Sequence, residues 1–245
     1  DVVFGCDITA DNSTIYASYF SQMDAYSEGY AGIGVWRAAF KPFVDRIADN
    51  DIRLQWFCCD RSTGVDTEDK DGKPIRVTLL RDTKTPASVE YQAVKFIGTG
   101  RENIQAGTFS GWELGDYIYM RSEEAYLIKI EALAHKNSPD AVTELENFMK
   151  TRQPDYDYTF TNKADLIEEI IYQKRVEFWG EGLEYIDNRR LNIPVDRTDE
   201  TWGAENNNHF SAAKFRYNQE ERPFLYQLPI SEIENNSQIS PSDQN

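Results

Sequence analysis

The sequence predicts a mainly α-helical fold: helical hairpins, long irregular loops and a few short strands. Three observations predict it. Residues 117–136 carry Met120, Leu127, Ile130 and Ala134 near one helical face, with Tyr126 and Leu133 flanking it. Residues 139–150 repeat that spacing with Ala141, Val142, Leu145, Phe148 and Met149, and only His135-Lys136-Asn137-Ser138 separates the two runs. Before residue 117 the chain is instead rich in glycine, turns and aromatics.

Taken in order, residues 1–8 are short and β-branched and read as a strand or extended segment. Residues 16–36 interleave aromatics with Ser, Gly and Ala, and the glycines at 29, 32 and 34 argue against a regular helix. Residues 38–47 have a helical period, with Pro42 best placed in a first turn that starts near Lys41. Residues 53–58 read as a strand or a short helix. Asp71-Gly72, between Val65 and Val77, reads as a hairpin or loop tip. A calcium loop fails there, because Thr67 and Thr78 fall where the first and last ligands belong. Residues 75–80 and 91–97 are plausible strands, and 98–116 are irregular around Trp112.

Asn137 suits a left-handed helix end and Ser138 an N-cap, so the two central helices form a hairpin of tetratricopeptide type. No second copy follows at a 34-residue spacing, and an array needs several. Asn162 or Thr161 caps a helix from Lys163 to about Trp179. Gly180 and Gly182 interrupt it, each costing about 1 kcal/mol in a helix interior. A helix over residues 183–191 follows, stopped by Pro194. Pro223 and Pro229 bracket an extended run, and residues 235 onward read as a polar tail. Residues 1–116 thus form a loop-rich, aromatic-rich, ligand-side region and 117–245 a helical core, within one domain.

Composition narrows the function classes. The 245 residues include 42 acidic and 26 basic side chains, a net charge of −16 that repels nucleic acid and anionic membrane surfaces. Aromatics are 13% of the chain, and tyrosine and tryptophan suit wet contact surfaces. Cys6, Cys58 and Cys59 are no disulfide framework; buried free thiols are the plainer reading, with Cys6 pairing to Cys58 or Cys59 left open. No window of ~20 apolar residues occurs. The chain starts on a strand without a signal segment, the start expected of a fragment or processed product.

Chemistry-bearing clusters are few. Glu177, Glu181, Glu184 and Asp187 could serve glycoside hydrolysis, which needs two carboxyls across a cleft, one with a raised pKa. Lys174, Arg175, Arg189 and Arg190 are interspersed, so ion pairs tying helices together are the favoured reading. His135 and His209 have no triad or zinc spacing and read as solvated. GEG at 180–182 follows a helix, which excludes a dinucleotide loop. No cofactor or metal is expected. The best ligand candidates are Tyr16, Tyr19, Tyr26, Tyr30, Trp36 and Arg37: sugar C–H faces stack on aromatic rings while hydroxyls need polar partners such as Asn12, Asp24 and Arg37. The competing reading is that these rings fill a core under loops. Trp202 is either a stacking platform or, preferably, a loop anchor.

Three stretches together resemble the SusD/RagB family of nutrient-binding outer-membrane lipoproteins of Bacteroidetes. They are RSEEAYLIKIEALAH at 121–135, KRVEFWGEGLEYIDNRR at 174–190 and FLYQLPISEIENNSQISPSDQN at 224–245. DVVFGCDITADN at 1–12 and DNDIR at 49–53 also look like the family's central region. Departures are Lys174 for the first Arg of a pair, Leu183 for a polar residue, Asn188 for Leu, and Ser242-Asp243 before the closing Gln-Asn. The resemblance implies a chain of about half the family's length, lacking the half that carries the lipid-bearing cysteine, so Cys6 is not that cysteine. It also implies binding of an oligosaccharide or other nutrient on the extracellular face of the outer membrane, and delivery to a SusC-like TonB-dependent transporter without bond cleavage. Membrane attachment would come only through a lipid anchor outside this chain. A helical scaffold that docks a protein partner without small-ligand binding is the alternative.

Overall fold

The computed structural model describes residues 2–9, 11–12, 18–23, 30–33, 37–58, 65–68, 74–77, 91–93, 95–96, 115–221 and 226–243. They form two compact units, Asp1–Glu181 and Gly182–Asn245. The change of sequence character at residue 117 falls inside the first unit.

In that unit, β1 (Val2–Cys6) pairs antiparallel with β6 (Tyr117–Arg121), from Val2↔Arg121 to Cys6↔Tyr117, with register shifts on either side of Phe4. This corrects the helix expected from residue 117. The Tyr-Ile-Tyr run is a good strand former once a β-branched partner is supplied, and that partner lies at the start of the chain. The helix α4 therefore begins at Ser122, after an extended Arg121. Val2, Val3, Phe4, Ile118 and Tyr119 all stand exposed on this ribbon.

Between β1 and β6 lie short elements. Helices α1 (Tyr19–Met23) and α2 (Tyr30–Ile33) interrupt the stretch read as irregular. Helix α3 is only Lys41–Val44, with Pro42 in its first turn as anticipated, so the longer helix over 38–47 does not form. Residues 53–58 prove to be both alternatives: a 3-10 turn, Ile52–Trp56, and then β2 (Phe57–Cys58). Asp51 caps that turn, its Oδ1 accepting from the Arg53 N–H at 2.9 Å. Strands β3 (Val65–Glu68) and β4 (Pro74–Val77) pair with Val65 opposite Val77; the Asp71-Gly72 tip lies outside the described residues. Strand β5 is only Gln92–Ala93, paired with β2.

Helix α4 (Ser122–His135) packs against both α5 (Asp140–Met149) and α6 (Lys163–Glu177). The hairpin signals hold. Asn137 takes a left-handed φ of 54°, and Ser138 Oγ accepts from the Asp140 N–H at 3.3 Å. Asn162 Oδ1 caps α6 through the Asp165 N–H at 3.0 Å. Leu127, Ile130, Leu145, Met149, Ile170 and Val176 are fully buried within this unit. A second cluster joins Val44, Ile47, Phe57, Tyr172 and Val176, with Phe43, Trp56 and Trp179 packed against it.

In the second unit, α7 (Leu183–Leu191) has the expected bounds and ends on Asn192 at φ 53°. Strand β7 (Val195–Asp196) pairs with β8 (Arg216–Tyr217), and α8 (Asp199–Trp202) lies between them. The stretch after Pro229 forms α9 (Ile230–Asn235), between the extended run expected up to Pro229 and the polar tail expected from residue 235. Pro229 opens α9 from an extended backbone.

Candidate functional site

Of the six sequence-picked ligand residues, Tyr16, Tyr26 and Trp36 lie outside the described residues, as does Asp24. Tyr19 is half-buried and engaged within its unit. Its hydroxyl donates to the Gly180 carbonyl at 3.0 Å, and its ring meets Phe20, Phe96 and Tyr117 edge-on. Burial, with the charge of Glu181, raises its pKa above the ordinary phenol range. Tyr30 is 44% exposed. Arg37 is partly buried and donates to Gln22 Oε1 at 3.2 Å. Asn12 closes its own turn, accepting from the Thr9 N–H and donating to the Asp7 carbonyl. Trp202 is an anchor: its indole N–H donates to the Asp196 carbonyl at 2.9 Å. Cys6 is a free, exposed thiol, which corrects the expectation of a buried one.

The carboxylates of residues 174–190 belong to a buried ionic clasp. Glu177 is 2% exposed. Its Oε1 accepts from Arg121 Nη1 at 3.1 Å and Arg152 Nη2 at 3.2 Å; its Oε2 accepts from Arg152 Nε at 3.3 Å and Arg53 Nη1 at 3.5 Å. Arg121 also grips Glu181 through two nitrogens, at 2.8 and 3.1 Å. Arg53, 1% exposed, is held on its other side by both Asp51 oxygens and by Gln173 Oε1. Lys95 bonds Glu181 Oε1 at 2.6 Å and the carbonyls of Glu177 and Trp179, placing positive charge at the C-terminal end of α6. The pairing is thus as expected in kind, but the cations that hold Glu177 come from other elements rather than from Lys174 and Arg175. Lys174 instead pairs with Glu131 at 3.1 Å, buried on both sides.

Burial pushes the Glu177 carboxyl up, and the hydrogen bonds and charges of Arg152, Arg53 and Arg121 outweigh it, leaving the group below the ordinary carboxylate range. Such a group is ionised at neutral pH and cannot donate a proton as a general acid. For Lys95, burial dominates over the pull of Glu181 and lowers the pKa to about 8. Gly180 permits the chain to turn beside this clasp: its φ is +80°, and a Cβ there would lie 2.5 Å from the Phe96 ring.

A cleft of about 210 Å³ adjoins the clasp, sharing Arg53 and Gln173 with it. Its floor is Asp51, Arg53, Glu169 and Gln173, a closed network in which Gln173 Nε2 donates to Glu169 Oε1 at 2.7 Å. Arg46 forms one wall, stacked 3.9 Å over the Tyr172 ring and paired with Glu169 at 2.7 Å. Tyr156, Tyr158, Gln153 and Asp157 also line the cleft, and the Tyr156 hydroxyl donates to Glu169 Oε1 at 3.4 Å. These residues lie in the connection between α5 and α6, where no sequence motif marks a site; the one signal there is the density of tyrosines beside Pro154. Among the described residues no group of His, Cys, Asp and Glu side chains could hold a metal, and no helix is long and apolar enough to cross a membrane.

The SusD family model matches residues 40–245, and the chain belongs to that family. No curated protein matches it. Solved structures from Bacteroides vulgatus are similar. A SusD-like carbohydrate-binding protein shares 21% identity at a TM-score of 0.63, over 97% of this chain and 48% of its own. A SusD superfamily protein shares 17% at 0.63, over 100% and 46%. A protein described as sugar-binding shares 19% at 0.64, over 100% and 45%. This chain therefore spans about half the length of the structures it resembles.

Proposed function

We propose that this chain belongs to a cell-surface protein that binds a glycan or similar nutrient and delivers it to a SusC-like TonB-dependent outer-membrane transporter. The observation that carries this reading is the family match over residues 40–245. The pairing of Glu177 and Glu181 supports binding without bond cleavage, because the best-placed carboxylates are spent on arginines. The ligand site we assign is the segment holding Tyr30 and Arg37, together with Tyr16, Tyr26 and Trp36. Tyr30 is 44% exposed, and the Tyr19 hydroxyl is engaged by the Gly180 carbonyl. Equilibrium titration with neutral oligosaccharides tests this. Tyr30→Ala should weaken binding roughly tenfold, a loss of about 1.4 kcal/mol. Unchanged affinity in Tyr30→Ala and Arg37→Ala removes the assignment.

A second reading, docking of a protein partner without a small ligand, is favoured by one observation: the β1–β6 ribbon exposes Val2, Val3, Phe4, Ile118 and Tyr119 together. Copurification with a transporter, with no binding across a broad glycan panel, would select it.

A further inference from the structure

We propose that the cleft between Arg46 and Tyr158 is a second binding site, separate from the Tyr30 segment, for a single neutral sugar ring. The inference takes its ligand class from the proposed function and its place from the geometry. At about 210 Å³ the cleft is smaller than the ~300 Å³ where drug-sized pockets begin, so it holds one ring rather than a chain. Its floor is already satisfied: Arg53 is held by Asp51 and Gln173, and Gln173 by Glu169. The floor is therefore rigid and presents no spare charge.

The wall formed by the α5–α6 connection differs. Tyr158 is 38% exposed, its ring beside Phe160 at 4.7 Å between centroids. Among the described residues, the Gln153 amide and the Asp157 carboxylate make no hydrogen bond or ion pair. An exposed aromatic face with an amide and a carboxylate beside it is the set that a sugar needs: C–H groups on the ring, hydroxyls on the polar atoms. Anions are disfavoured, since Asp51, Asp157 and Glu169 outnumber Arg46 and Arg53 in the lining. Arg46 is spent on Glu169 and Tyr172, so it shapes the wall and leaves the ligand's hydroxyls to the opposite side.

The test is saturation-transfer NMR on the full chain with methyl α-D-glucopyranoside, methyl β-D-galactopyranoside and N-acetylglucosamine. At least one sugar should receive saturation from the wild-type protein, and Tyr158→Ala or Gln153→Ala should cut its affinity roughly fivefold. Both variants should melt within a few degrees of the parent, since Tyr158 is exposed. Phe210→Ala, an exposed ring elsewhere, should change nothing. Asp157→Asn should keep sugar binding within about twofold, because the amide still offers an acceptor. Transfer from choline abolished by Asp157→Asn, with no transfer from sugars, would make the cleft a cation site and overturn the proposal. So would equal transfer in wild type and Tyr158→Ala, or none in wild type. The two sites separate cleanly: oligosaccharide affinity that survives Tyr30→Ala and falls in Tyr158→Ala sinks the first assignment and leaves the second.

Discussion

Helix α6 carries two polar patches that behave in opposite ways. Around Glu177, at its C-terminal end, every neighbouring charge is matched, and Arg53, Arg121 and Arg152 reach in from three other parts of the unit. Around Glu169 and Gln173, one to two turns earlier, the buried floor is equally matched, yet the adjoining wall leaves Tyr158, Gln153 and Asp157 toward solvent. The difference is what each patch is fitted for. A carboxylate with no lone pair to spare holds elements together. A satisfied floor beside the open Gln153 amide and Asp157 carboxylate can hold a ligand without first giving up its own bonds.

That contrast can be broken by mutation. The largest effect should come from Glu177→Ala, which leaves Arg53, Arg121 and Arg152 facing a void; urea denaturation should show a loss of about 3–5 kcal/mol. The same carboxylate should show itself in pH dependence. Its folded pKa lies below the unfolded value of about 4.3, so its contribution is present above that value and fades as pH falls through the folded pKa. Stability measured between pH 6 and pH 3 should fall more steeply in the parent than in Glu177→Gln. A smaller loss, about 1–3 kcal/mol, should follow Gly180→Ala, which forces a Cβ against Phe96 at a left-handed φ. Ser138→Ala should cost about 1 kcal/mol by removing the α5 cap. At the cleft, Tyr158→Ala should stay within about 0.5 kcal/mol of the parent while changing ligand binding. A large stability loss there would make the cleft wall structural and erase the contrast.

How much of this was legible in the sequence follows from the range of each interaction. The bounds of α7, the left-handed Asn137, the Asn162 cap and the opposition of Val65 and Val77 are local, set by neighbours within a few residues. Strand β6 was read as helix because its apolar spacing fits both periods, and only β1, more than a hundred positions earlier, decides between them. Glu177 was readable as paired, but not with whom: its arginines sit 124, 56 and 25 positions away. Two of those arginines, Arg53 and Arg121, nevertheless fall inside the stretches that resemble the family, at 49–53 and 121–135, whereas Arg152 lies outside them. Three of the stretches that resemble the family, at 49–53, 121–135 and 174–190, meet in this clasp, and there they carry fold information and little about the ligand. The cleft was missed because Tyr156 and Tyr158 sit in a connection with no periodicity, and burial against Arg46 is a tertiary fact.

The account rests on Glu177 being a clasp rather than a ligand group. The most direct measurement is a paired one on Glu177→Ala: urea denaturation, and oligosaccharide titration under conditions where the variant is fully folded. A clasp at Glu177 gives a stability loss of about 3–5 kcal/mol with affinity held within about twofold of the parent. A variant with the parent's denaturation midpoint and lost ligand binding would contradict it.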